Sequence, residues 1–186
     1  MRSAPARPPI HPLTDGLVAL RLRTEFDFDV ITTGQRDPQI VRWLSDAPVP
    51  DDSPTRSVGR AVNQWSTGRG TPFVIADLQS SVPLGLINLR FETDTEALVA
   101  YSVFPDARGR GVAPRALALL TTWAFPTLEL TQVTLEADRL NLASIRVAEK
   151  TGFRWIRDRR GTVEEGETSV MAVFQLDSED AAKAAR

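Results

Sequence analysis

Ala97-Leu98-Val99-Ala100-Tyr101-Ser102-Val103-Phe104 is an apolar run rich in β-formers and reads as a buried strand. Val112-Ala113-Pro114-Arg115-Ala116-Leu117-Ala118 is rich in Ala and Leu. Its Pro114 falls where a first helical turn tolerates proline, so this run reads as a helix start. Pro105-Asp106-Ala107-Arg108-Gly109-Arg110-Gly111 joins the two as a short loop with two glycines and two arginines. A strand, a glycine-bearing turn and a helix N-terminus together make an anion site. Glycine lets backbone approach a ligand closely, and the first-turn N–H groups of the helix are unpaired. The two arginines add attraction for phosphate.

Composition narrows the chemistry. The chain has 186 residues, enough for one domain with a substantial core, and its net charge of −2 gives no basic field to attract nucleic acid. It has no cysteine, which excludes disulfides, thiolate nucleophiles and thiolate metal sites. A single histidine, His11, sits in a Pro-rich leader and cannot build a histidine metal cluster. No metal is therefore expected. No apolar run approaches the roughly 20 residues of a membrane span. Residues 1–12 lack the apolar centre of a signal peptide, so a cytoplasmic protein without a membrane partner is expected.

Phe73–Leu78, Val82–Phe91 and Ala97–Phe104 read as an antiparallel meander. The helix Val112–Phe125 is expected to stop at Pro126. Thr131–Ala137 alternates and reads as a strand. Strand 97–104, helix and strand 131–137 then form a crossover, which pairs the two strands in parallel. Asn141–Thr151 reads as a helix closed by Gly152, and Phe153–Arg157 and Ser169–Leu176 as the last strands.

Upstream, Leu17–Arg23 alternates as a half-buried strand. Thr24 caps a short helix that Gly34 is expected to close, and residues 37–52 read as loop. Ser53-Pro54 opens a helix with Val58, Ala61, Val62 and Trp65 on one side. Trp43 and Trp65 read either as core anchors or as walls of an acceptor pocket. The expected organisation is a flexible arm (1–12), one domain (13–176) and a fraying polar tail (177–186).

Arg108-x-x-Gly111-x-Ala113 after a strand, then Asn141-x-x-Ser144, then Gly152-Phe153, resembles the GNAT superfamily of N-acetyltransferases. Within it, the pattern is most similar to the Rim-type branch that acetylates ribosomal-protein N-termini. The resemblance spans roughly residues 15–176. It implies an α/β (α+β) GNAT fold: a mixed, mostly antiparallel sheet of six to seven strands with about four helices, its central parallel strands splayed at a bulge. It implies acetyl-CoA as co-substrate and a primary amine, either a protein N-terminus or a small amine, as acceptor.

The resemblance also assigns residues. The amides of Gly109, Arg110, Gly111, Val112 and Ala113 are implied to bind the CoA pyrophosphate. The Arg108 and Arg110 side chains either join them or point to solvent. The bulge falls near Tyr101–Phe104, where the Val103 N–H polarises the thioester carbonyl. Asn141 holds the pantetheine amide or caps its helix, and both roles are compatible. Glu136 is the implied base, with Asp138 second. An α-amine, with a reference pKa near 7.7–8.0, needs only a weak base. Many relatives carry a proton-donating tyrosine seven residues after the helix asparagine; this chain has Ala148 there. Ser144 or bulk water is left to hydrogen-bond the leaving sulfur, and the general acid stays open.

The competing reading on the same fold is a non-catalytic acyl-CoA-binding or regulatory module. Acidic turns at 92–96 and 164–167 read as solvated or as attraction for a cationic acceptor. A monomer or homodimer is expected.

Overall fold

The computed structural model describes residues 4–44, 53–161 and 169–184. Among these residues eight strands form one sheet: β1 (Leu13–Thr14), β2 (Val18–Arg21), β3 (Phe73–Asp77), β4 (Pro83–Phe91), β5 (Glu96–Val103), β6 (Gln132–Asp138), β7 (Arg154–Arg160) and β8 (Val170–Asp177). Their order across the sheet is β1-β2-β3-β4-β5-β6-β8-β7. The count exceeds the expected six to seven because two-residue β1 adds an edge strand. Every neighbouring pair is antiparallel except β5 and β6, which run parallel as the crossover requires.

The described residues form six α-helices on the two faces: α1 (Phe28–Gln35), α2 (Pro38–Trp43), α3 (Pro54–Ser66), α4 (Val112–Leu128), α5 (Leu142–Lys150) and α6 (Ser178–Ala184). The larger core joins α4 and α5 to one sheet face. Leu117, Leu120, Val133, Leu135 and Phe174 are buried there, with Val99, Tyr101 and Val103 of β5 on the same side. The smaller core buries Ile31, Ile40, Val74, Ala76 and Phe104 between α1, α2 and the opposite face. The alternation of β5 thus divides its side chains between two helix layers.

Four local expectations change. Residues 38–43 are helical, because Asp37 accepts the amides of Gln39 and Ile40 and Pro38 occupies the first turn. The rest of the expected 37–52 loop, from residue 45, lies outside the described residues. Gly34 lies inside α1 rather than closing it: a Cβ there would fall 2.4 Å from the Phe104 ring, so the glycine admits that ring. Pro126 sits in the last turn of α4, which runs on to Leu128 and ends at Glu129 with φ of 53°. Phe125, Leu128 and Leu130 are all buried, so packing carries the helix past the proline. Residues 178–184, expected to fray, form α6, and Ala181 packs on the main core. At the other end, Ala6 is buried and donates its N–H to the Trp65 carbonyl at 3.2 Å.

Trp65 is a core anchor. It packs edge-on against Phe73, with ring centroids 5.2 Å apart, and against Trp123. It also lines an apolar recess with Ala6, Leu22, Ala61, Val62 and Pro72, but no β5 or β6 residue borders that recess. Trp43 is half-buried under the Arg42 guanidinium.

Asp27 fastens β2 to the first helix. Its carboxylate is 3% exposed; it accepts both Arg21 terminal nitrogens at 2.7 and 2.8 Å and the Thr24 amide at 2.8 Å. Burial by itself raises this carboxyl, but Arg21 and Thr24 outweigh burial and hold it below the usual carboxylate range. Its stabilising contribution is therefore complete above the unfolded value near 3.9 and is lost as pH falls through the lower folded value. Asp27→Asn is expected to destabilise the chain by roughly 3 kcal/mol at neutral pH. Denaturant titrations should show the gap to wild type closing at strongly acid pH; a gap constant with pH contradicts the assignment.

Candidate active site

The β5–β6 pairing covers Glu96–Val99 against Gln132–Leu135 and extends no further. Both strands continue, to Val103 and Asp138, so they splay. The splay does not arise from a slip against β4, whose register holds from Phe91–Ala97 to Gly85–Val103. The expected bulge at Tyr101–Phe104 is thus not a register shift on that side. The register irregularity on the β3–β4 pair falls at Ile75/Ala76.

Strand chemistry says what the opening presents. Phe104 donates its N–H to the Leu84 carbonyl at 2.8 Å. In an antiparallel pair hydrogen-bonded residues alternate, so Ser102 and Phe104 bond β4 while the backbone groups of Val103 turn toward β6. Val103 lies beyond the last parallel pair. Its N–H is thereby directed into the opening, at the position the family resemblance implies for a carbonyl-polarising donor.

Gly85 lies opposite Val103, a placement that no local sequence signal marks. A Cβ on it would fall 2.2 Å from the Ser102 carbonyl oxygen and 3.1 Å from the Val103 Cα. Only glycine allows β4 to lie this close to the splayed end of β5.

The 108–113 loop follows. Gly109 and Gly111 both have φ of 72°, and a Cβ on either meets nothing within 4 Å. Glycine is therefore required by backbone conformation rather than by crowding. Gly111 is the residue before α4, which starts at Val112. The amides of Gly109, Arg110, Gly111, Val112 and Ala113 donate to no carbonyl among the described turn and loop hydrogen bonds. Successive amides in such a turn, leading into a 17-residue helix, are the kind of donor set that binds an anion. This donor set fits a pyrophosphate.

The two loop arginines differ. Arg108 turns back: its Nε donates to the Val103 carbonyl at 3.1 Å, and its Nη2 bonds the Asp37 carboxylate. This guanidinium ties the strand end to the N-terminus of α2. Arg108, foremost, and the Ile40 and Gln39 amides hold Asp37 below the usual carboxylate range. Asp37-Pro38 carries a helix-start signal, but its pairing with Arg108 is long-range and invisible in sequence. Arg110 is exposed, and its charge helps to hold the Asp77 carboxyl down after the Ser80 and Gln79 hydrogen bonds. Arg115 pairs with Asp15 at 2.6 Å.

Past the splay, β6 projects Glu136 to the sheet face that carries α1 and α2. Its two oxygens accept Nε, at 2.8 Å, and Nη2 of Arg159 on β7. A base at this position has to release that pair. Asp138 accepts the Leu140 amide at 2.7 Å and closes the β6–α5 turn. Asn141 caps α5 by accepting the Ser144 amide at 3.2 Å, which leaves its NH₂ group as a donor. On the opposite face Tyr101 reaches toward the Ser144 side chain. Ala148, at the family's tyrosine position, is fully buried in the core. Among the described residues no cluster of three or more His, Asp or Glu side chains could hold a metal. No described helix is long and apolar enough to cross a membrane. The acidic segment 164–167 lies outside the described residues.

Comparison with known proteins agrees with this architecture. Residues 18–154 match the family described as Acetyltransferase (GNAT) domain. An uncharacterized N-acetyltransferase, p20, of Bacillus licheniformis is 23% identical over 144 residues, 76% of this chain and 80% of that protein. The structure of a putative ribosomal-protein-serine acetyltransferase from Vibrio cholerae superposes with a TM-score of 0.72 at 20% identity, covering 92% and 99% of the two chains. Spermidine N-acetyltransferase from Vibrio cholerae, in complex with CoA and spermine, gives 0.76 at 17% identity over 89% and 98%.

Proposed function

Because the chain belongs to the acetyltransferase (GNAT) family, we propose that it transfers acetyl from acetyl-CoA to a primary amine by direct attack, with the donor lying in the β5–β6 opening. The observation that carries this reading is the continuity of two donor sets: the glycine-loop amides at the start of α4 and the Val103 N–H at the splay. The first suits a pyrophosphate. The second suits the oxygen on which charge develops during acyl transfer.

The other residues take roles by position. Asn141, already capping α5, offers its NH₂ to the pantetheine amide. The Arg108 side chain positions the Val103 carbonyl and Asp37, so its share in phosphate binding falls to the loop backbone. Glu136 faces the α1–α2 side, from which the amine approaches, and takes the proton once Arg159 yields. A cytoplasmic, Rim-type enzyme acting on a protein N-terminus is the reading closest to the sequence pattern. A polyamine is the second acceptor class, since spermidine N-acetyltransferase is among the similar structures.

An acceptor screen that follows free thiol release from acetyl-CoA tests the proposal. α-Amino peptides, polyamines and aminoglycosides are the panel. Release with at least one class is expected. Glu136→Gln should then lower turnover about 100-fold with CoA affinity unchanged. Binding of acetyl-CoA without release by any amine would favour the non-catalytic module, and a wild-type rate for Glu136→Gln would remove that residue from the mechanism.

A further inference from the structure

Two features leave the reaction without an evident proton donor for the leaving sulfur. The family's helix tyrosine position is Ala148, buried in the core, and the Glu136 carboxylate lies on the other face of the sheet. The chain contains one tyrosine, Tyr101. It stands on β5 beyond the last β5–β6 pair, Val99–Leu135, and two residues before the Val103 amide. Its side chain packs with the α4–α5 core, and its hydroxyl is buried without a hydrogen-bond partner.

A buried hydroxyl without a partner costs roughly 1–3 kcal/mol, so its persistence calls for a use. The Ser144 side chain is its polar neighbour. Burial pushes the phenol up, and the Ser144 hydroxyl offsets this only in part, although no bond of normal geometry closes between them. The phenol thus stays protonated through neutral and mildly alkaline pH and remains a donor.

We propose that Tyr101, from the strand rather than from the helix, donates the proton to the departing CoA sulfur, with Ser144 beside it as the route of reprotonation. This rests on acetyl-CoA binding in the β5–β6 opening. The amine nitrogen forms its bond to the acetyl carbon while the carbon–sulfur bond breaks. The Tyr101 proton goes to sulfur, giving the free thiol. The proton lost by the amine passes to Glu136 and solvent, and one returns to Tyr101 through the Ser144 hydroxyl. The two ends of the transfer then use opposite faces of the sheet: Glu136 on the α1–α2 side, Tyr101 and Ser144 on the α4–α5 side.

Tyr101→Phe removes a buried hydroxyl that bonds nothing, so its thermal midpoint should match or exceed that of wild type. Its kcat should nevertheless fall about 100-fold at unchanged KM for the amine. A binding measurement separates this from a packing effect. In wild type, CoA should bind up to about 10-fold more tightly than desulfo-CoA, the upper end of what one neutral hydrogen bond contributes. In Tyr101→Phe the two should bind alike. Because Tyr101 is the only tyrosine, its tyrosinate absorbance reports this site directly. CoA should delay its appearance to higher pH, and desulfo-CoA should not. Tyr101→Phe with the wild-type rate and the wild-type preference for CoA over desulfo-CoA would overturn the assignment. Failure of wild type to bind either ligand would instead overturn the placement of the donor site.

Discussion

Gly111→Asp is expected to weaken CoA binding by at least about 100-fold while leaving the chain folded. The position has φ of 72° and open space where a Cβ would stand. The conformational cost of a side chain is therefore about 1–2 kcal/mol, and no clash adds to it. The added carboxylate meets the pyrophosphate at contact range. Even at an effective dielectric constant near 20, a pair of unit charges 4 Å apart interacts by about 4 kcal/mol, more than the roughly 2.8 kcal/mol that a 100-fold loss requires. Gly111→Ala supplies the control, since it carries the backbone cost without the charge. Calorimetry should give a small loss for Ala and near-complete loss for Asp, with circular dichroism unchanged in both. Equal effects of the two substitutions would show that conformation, not charge, governs the loop.

Gly85→Ala is the second large effect, and it arises far from any phosphate. The new Cβ would lie 2.2 Å from the Ser102 carbonyl oxygen. That atom belongs to backbone, so relief has to come from moving β4 or the end of β5. Overpacking of this kind costs typically 1–3 kcal/mol. For a chain of this size each kcal/mol lowers the thermal midpoint by about 2–4 °C. The displaced segment carries the Val103 amide, so CoA affinity should fall about 10-fold together with stability. A variant with wild-type midpoint and wild-type affinity would contradict the close approach of β4 to the opening.

The parts of this architecture written in local pattern were legible in the sequence. The strand 97–104, the two-glycine turn and the Ala/Leu-rich helix follow from side-chain period and from the backbone freedom of glycine. The crossover then requires β5 and β6 to be parallel. Asn141 and Gly152 mark the ends of α5 by their own chemistry: a side-chain cap and a φ of 84°. Proline misled twice for one reason. Pro38 and Pro126 read as breaks, yet each sits in a terminal turn. Asp37 caps the first, and burial of Leu128 and Leu130 holds the second.

What the sequence hid is long-range. Arg108 looks like a phosphate ligand in a basic loop, and only the fold brings Asp37 beside it. Glu136 looks like a free strand carboxylate until β7 places Arg159 against it. Gly85 shows its role only once strand register sets it opposite Val103. Tyr101 reads as one more β-former on a buried strand until its hydroxyl is seen without a partner beside Ser144.

Hydrogen exchange with and without acetyl-CoA tests the placement of the donor most directly, because each donor group is a named amide. Exchange at residues 109–113 and at Val103 should slow on binding, while peptides from β7 should not change. Saturable binding of acetyl-CoA with unaltered exchange at both 109–113 and Val103 would contradict it.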